Sequence, residues 1–227
     1  GRQPNLRAHH PLFRQLVLGF RYLEIVSNRR MRIFSTLFVA ISLWLVSNAK
    51  KPNIVIIFTD DQGYADLGCY GSKTNKTPRL DQLAKQGTMF TSFYTQAVCG
   101  PSRSALLTGR YPCRSKGWGM PASEITFAEL IKGAGYQTAC IGKWDVSNRK
   151  PIIDRMPNAQ GFDYFFGALG ANDPGTIKFH LNNEAAGTSK DMGGLTTLYT
   201  DKSIDFLKNK RDPKKPFVLY LAHTMMH

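Results

Sequence analysis

Asn53-Ile-Val-Ile-Ile-Phe-Thr59 places five consecutive apolar side chains between Pro52 and the acidic pair Asp60 and Asp61. A run this short, β-branched and without polar alternation predicts a strand buried on both faces, as in parallel sheets covered by helices. Outward from it, helix and strand patterns alternate. Pro78–Gln86 predicts a helix, with Thr77 as N-cap, Pro78 at the first helical position and Gly87 as its stop. Met89–Tyr94 predicts a second strand. Pro101–Leu107 opens another helix, closed by Gly109. Thr126 and Glu129 form a capping box ahead of a helix over Phe127–Lys132. Gln137–Ile141 reads as a strand, Leu198–Asn209 as a helix and Phe217–Leu221 as a final strand. This alternation predicts an α/β fold, a mostly parallel mixed sheet sandwiched by helices. Asp145–Lys190 is rich in Gly, Asn and Pro and predicts long loops.

The formal charge of +14 raises a nucleic-acid reading, and its distribution argues against one. Residues 1–50 carry eight Lys and Arg against a single acid, Glu24. The remaining excess is spread over the rest of the chain, apart from the loop cluster Lys208, Lys210, Arg211, Lys214 and Lys215. No nucleic-acid motif accompanies that cluster, so no nucleic-acid partner is expected.

Met31-Arg32, the apolar run Ile33–Val46 and the small residues Ser47-Asn48-Ala49 have the form of a secretory signal peptide cleaved after Ala49. The run is shorter than the roughly 20 residues that span a bilayer, so no stable membrane anchor is expected. Residues 1–30 read as an upstream extension, 31–49 as the signal peptide and 50–227 as the folded part of an exported chain, periplasmic or secreted. Export permits disulfides among Cys69, Cys99, Cys113 and Cys140, with no pairing readable from spacing. No Cys-x-x-Cys pair suggests zinc.

Reactive residues collect where strands end, which is where open α/β sheets bind ligands. Asp60 and Asp61 follow the first strand, Cys99 the second, Lys143 the third, and His223 and His227 the last. Adjacent carboxylates repel unless a cation lies near them, and hard oxygen ligands favour Ca²⁺ or Mg²⁺. Cys99 stands just ahead of a helix N-terminus that favours negative charge, with Arg103 one turn on. These residues alone describe an anion pocket with a nucleophile at its mouth.

Cys99-Gly-Pro-Ser-Arg103, followed by Leu107-Thr-Gly-Arg110, resembles the signature of the formylglycine-dependent sulfatases, a branch of the alkaline-phosphatase-like superfamily. Matching context runs from Lys51-Pro52-Asn53-Ile54-Val55 through Thr59-Asp60-Asp61-Gln62-Gly63 to Gly142-Lys143-Trp144 and Leu221–His227. The resemblance covers the N-terminal part of that catalytic domain. It implies that a maturation enzyme oxidises Cys99 to formylglycine. It further implies that Asp60, Asp61 and an oxygen of the modified Cys99 hold a divalent cation, usually Ca²⁺, with Mg²⁺ possible. The hydrated aldehyde attacks the sulfur of a sulfate ester and later expels sulfate. Arg103 would steady the diol, and Lys143 and His227 would bind sulfate oxygens, with His227 a proton donor to the leaving oxygen. His223 is an additional candidate for substrate binding. The substrate would be a sulfated small molecule or polysaccharide.

Two departures from the family pattern stand out. Asp145 occupies the position where the family often has His after Gly-Lys-Trp. The family's further metal ligands and second Lys lie beyond the pattern found here, which predicts weak metal binding and little activity for this polypeptide alone. Two rival readings are a phosphate or phosphonate ester hydrolase of the same superfamily and a non-catalytic exported binding module.

Overall fold

The computed structural model describes residues 28, 29, 31–38, 50–172 and 174–225. Two compact units divide at Lys51 and Pro52. In the first, residues 31–38 are helical. The rest of the signal-peptide segment, most of the upstream extension and His227 lie outside the described residues. Among the described residues no helix is long and apolar enough to cross a membrane.

The second unit is built on a six-stranded sheet: β1 (Ile54–Phe58), β2 (Gln137–Lys143), β3 (Tyr164–Ala168), β4 (Ile177–Leu181), β5 (Glu184–Ser189) and β6 (Phe217–Ala222). The spatial order is β1-β6-β2-β3-β4-β5. The first four strands in that order are parallel, while β4 and β5 add antiparallel pairings at the far edge. The expected mostly parallel mixed sheet is therefore present. Its antiparallel part arises from the segment expected to be long loops. Tyr164–Ala168 and Ile177–Leu181 alternate too briefly to stand out among the surrounding Gly and Asn, yet both pair within the sheet.

Five α-helices flank it: α1 (Pro78–Gln86), α2 (Cys99–Thr108), α3 (Pro112–Ser115), α4 (Phe127–Gly133) and α5 (Leu195–Asp205). The capping box of α4 is formed as expected, with Thr126 Oγ1 accepting from Glu129 N–H and Glu129 accepting from Thr126 N–H. Gly109 closes α2 in the left-handed region at φ 64°. The helix expected over Leu198–Asn209 starts earlier and runs on from α5 as a π-helical turn over Phe206–Lys210.

Strand alternation sends successive side chains to opposite faces, and two cores result. Cys140 of β2 and Tyr220 of β6 join Leu107, Ala128, Trp144 and Phe162 on one side. Ala139, Ile141, Leu219 and Leu221 join Leu195, Tyr199 and Phe206 on the other. Burying each large apolar side chain contributes on the order of 1.5–3 kcal/mol, which fixes the register of the central strands.

Two expectations fail here. β1 is not buried on both faces: Ile56 and Phe58 pack on the first core, whereas Val55 and Ile57 are 51% and 58% exposed. The strand is an edge, and α5 packs over β2 and β6. Met89–Tyr94 is not a strand, because its backbone is satisfied by side chains instead. Tyr64 Oη accepts from Phe93 N–H and donates to Phe93 C=O, and Tyr70 Oη donates to Phe90 C=O.

Candidate active site

Parallel strands deliver their carboxyl ends to one edge of the sheet, and β1, β2 and β6 bring Asp60, Lys143 and His223 there. Asp60 N–H donates to Met225 C=O, and His223 N–H donates to Phe58 C=O, stitching the two strand ends together. Cys99 arrives from a loop rather than from a strand. It is itself the first residue of α2, so the helix begins two residues before the expected Pro101.

Lys143, Asp60, Arg103 and Asp145 are all essentially buried. Lys143 Nζ donates to Asp60 Oδ2 at 2.6 Å and lies 3.7 Å from Asp145 Oδ2. Arg103 Nη2 lies 3.5 Å from Asp60 Oδ1 and donates to His223 C=O, while its Nη1 donates to Lys143 C=O. The guanidinium also lies over the Phe58 ring, 5.3 Å from the centroid. The Arg103 guanidinium thus supports Asp60 and two strand ends, and none of these contacts is to Cys99. Buried opposite charges hold each other because separating one would strand the other in low dielectric.

Asp145 meets Cys99 directly. Its Oδ2 accepts from Cys99 Sγ at 3.1 Å and from Trp118 Nε1 at 3.1 Å, and its Oδ1 accepts from Arg149 Nε at 2.9 Å. The residue sits in the left-handed region at φ 58°. Burial pushes the Cys99 thiol pKa up, and the hydrogen bond and charge of Asp145 push it further, with Lys143 acting the other way. The His223 imidazole is shifted toward its neutral form by burial and by the Arg103 charge. Its Nδ1 is buried without a hydrogen-bond partner.

Asp60, Asp61, Gln62, Cys99 and Ser102 line one pocket of about 320 Å³. Asp61 is exposed there, at φ 52°. Carboxylate oxygens suit a hard divalent cation, but Asp60 already shares its oxygens with Lys143 and Arg103. Among the described residues no group of three acids, His or Cys converges tightly enough to hold a metal. Asp60 and Asp61 are donors of the type the expected cation takes. All four cysteines carry free thiols.

Trp118 and Arg149 were not legible as site residues. Trp118 betrays itself only through Gly100, where an added Cβ would overlap its indole ring. Arg149 follows Asp145 by four residues in a segment with no helical pattern, so the spacing carried no signal.

A family model for Sulfatase matches residues 52–227. Arylsulfatase A of Homo sapiens is 46% identical over 214 residues, which cover 79% of this chain and 42% of that protein. N-acetylgalactosamine-6-sulfatase of Rattus norvegicus is 32% identical over 88% of this chain and 44% of its own length. The chain therefore spans less than half of these curated relatives. Among solved structures, Ps i-CgsB in complex with k-i-k-neocarrahexaose superposes with a TM-score of 0.69 at 31% identity, over 78% of this chain and 46% of that one. A complex with D-Glucosamine-2-N, 6-O-disulfate, its substrate, matches with a TM-score of 0.67 at 32% identity, over 78% of this chain and 35% of that one.

Proposed function

The chain belongs to the sulfatase family, and from that premise we propose that it carries the nucleophile-bearing half of a centre hydrolysing sulfate esters. The observation that carries this reading is the meeting of Cys99, Asp145, Lys143 and Asp60 at one end of the sheet through bonds of 2.6–3.7 Å. Four residues spread over 86 positions of sequence form one charged, largely desolvated cluster beside an open pocket.

In the proposed chemistry, Cys99 is converted to formylglycine, and its hydrate supplies an oxygen nucleophile for the sulfur of the ester. Asp61 and Asp60 would hold a divalent cation, most simply Ca²⁺, whose charge would favour an anionic ester and acidify a bound hydroxyl. Asp145 would hold a hydroxyl at residue 99 by the acceptor oxygen that now holds the thiol. Lys143 would present positive charge to a sulfate oxygen while its bond to Asp60 fixes its direction. Arg103 would help to orient Asp60, with its Nη2 3.5 Å from Asp60 Oδ1. Export, processing by a maturation enzyme and a sulfated carbohydrate as substrate belong to the same proposal; sugar-sulfate complexes among structural relatives support the last.

The test is paired. Mass spectrometry of the tryptic peptide Gln86–Arg103, from protein exported by its native host, should show an aldehyde at residue 99. The same preparation should hydrolyse an aryl sulfate faster than the phosphate ester of the same phenol. An unmodified thiol in fully exported protein would retire the mechanism, and the opposite rate order would make the chain a phosphohydrolase.

A further inference from the structure

A second cavity, of about 520 Å³, opens where β3 ends. Leu169, Ala171 and Pro151 give it apolar walls, and Arg149, Lys178 and His180 give it cations or potential cations. Its described lining contains no carboxylate. Lys178 and His180 both line the cavity from β4, together with the buried Ile177, across a point where the pairing of β4 with β5 is irregular. His180 Nδ1 is shielded from solvent and lacks a hydrogen-bond partner.

This cavity adjoins the candidate active site through one side chain. Arg149 lines it with a side chain 44% exposed, while its Nε holds Asp145 Oδ1, and Asp145 Oδ2 holds Cys99. The intervening loop is fixed at both ends: Asp145 N–H donates to Leu169 C=O, and Asn148 N–H donates to Trp118 C=O. It also keeps Asp145, Asn148 and Arg149 at positive φ. Left-handed backbone at three non-glycine residues is costly, and it persists only where surrounding structure imposes it.

We propose that this cavity is a second anion subsite, which takes a sulfate or carboxylate on the sugar next to the one carrying the ester. Apolar walls suit the C–H face of a pyranose, and Arg149 and Lys178, with His180 when protonated, suit its anionic substituent. A substrate with two anionic groups would then bridge Cys99 and β4, and a singly charged one would use only the first. The proposal rests on the hydrolase reading for its first anion, not for the chemistry of the cavity.

Binding is measured without turnover, by titration calorimetry on the 227-residue chain carrying Cys99→Ser. Sucrose octasulfate, trigalacturonate and inorganic sulfate are the probes. At least one polyanionic sugar should bind about tenfold or more tighter than inorganic sulfate, and the better of the two names the substituent as sulfate or carboxylate. Lys178→Gln, which keeps the stem of an exposed side chain, should remove most of that advantage, as should His180→Gln at a pH below the imidazole's titration. Lys214→Ala with Lys215→Ala should not. If instead the loop lysines carry the binding, or no probe exceeds sulfate, the subsite is overturned. Matured protein that binds through Lys178 yet hydrolyses no aryl sulfate would leave the subsite standing and sink the hydrolase reading.

Discussion

Cys99 Sγ donates to Asp145 Oδ2 at 3.1 Å across 46 residues of sequence, joining the start of α2 to the loop after β2. The departure at position 145 is thus in contact with Cys99. A carboxylate there accepts a hydrogen bond and repels a thiolate, so it favours a protonated atom at residue 99. The two donors on its other lone pairs, Trp118 and Arg149, keep it aimed.

The first prediction concerns the unmodified Cys99 thiol. Burial is the larger cause of its raised pKa, and Asp145 adds to it through a hydrogen bond and through charge. Asp145→Asn removes the charge and leaves the burial, so the pKa should fall while staying above that of an exposed cysteine. Alkylation of Cys99 at mildly alkaline pH, followed on the peptide by mass spectrometry, should become faster in the variant. Unchanged or slower alkylation means that Asp145 does not govern the thiol.

A second prediction follows from Gly100. A Cβ at this position would run into the Trp118 indole, and Trp118 is a donor to Asp145. Gly100→Ala should displace the indole, shift the intrinsic tryptophan emission and weaken the hold on Asp145. Its destabilisation should be about 1–3 kcal/mol, the usual cost of overpacking. Trp118→Phe should lose the same hydrogen bond at a smaller cost. Equal emission and equal unfolding midpoints in wild type and Gly100→Ala would show that the indole has room to move.

The sequence disclosed the central fold because its strands are buried. Gln137–Lys143 and Phe217–Ala222 carry apolar runs that only a covered sheet can accommodate, and the capping box at Thr126 and Glu129 marks α4 locally. Short signals misled. Met89–Tyr94 has strand composition but no neighbouring strand, and two tyrosine hydroxyls answer its backbone. β3 and β4 were hidden because each has five residues inside a glycine-rich segment. At the candidate site, Asp60 and Lys143 were legible from motif and strand-end position, and Cys99 from motif alone, since the strand expected before it is absent. Their pairing was not: nothing in the chain indicates that Lys143 grips Asp60, or that Arg103 faces Asp60 and two carbonyls. Such partners are set by packing distant in sequence.

Lys143 and Asp60 form a pair at 2.6 Å with both side chains almost wholly removed from solvent. Lys143→Met deletes one charge and leaves Asp60 to Arg103 alone, with Asp145 nearby. Breaking a buried pair from one side costs about 3–5 kcal/mol. Chemical denaturation should show a loss in that range, reduced by the presence of Arg103. Adding Asp60→Asn to Lys143→Met should recover part of it, since the double variant strands no carboxylate on Asp60. If the losses simply add, the two residues are not coupled in the folded chain.

The same pair limits cation binding, which gives the last prediction. Asp60 presents its oxygens to Lys143 and Arg103, so a calcium ion entering the pocket competes with two fixed positive charges. Asp61, exposed on the pocket wall, is the second carboxylate there. Fully equipped extracellular calcium sites bind at roughly 10⁻⁴ to 10⁻³ M, and a two-carboxylate site opposed by cations should be no tighter than that upper value. Calorimetric titration of calcium into the 227-residue chain should therefore give a dissociation constant on the order of millimolar or weaker. Asp61→Asn should abolish the signal, whereas Lys143→Met should strengthen it by releasing Asp60 Oδ2, even as it lowers stability. These opposite signs separate a shared carboxylate from general damage to the fold. Micromolar binding that survives Asp61→Asn would place the cation somewhere other than this pocket.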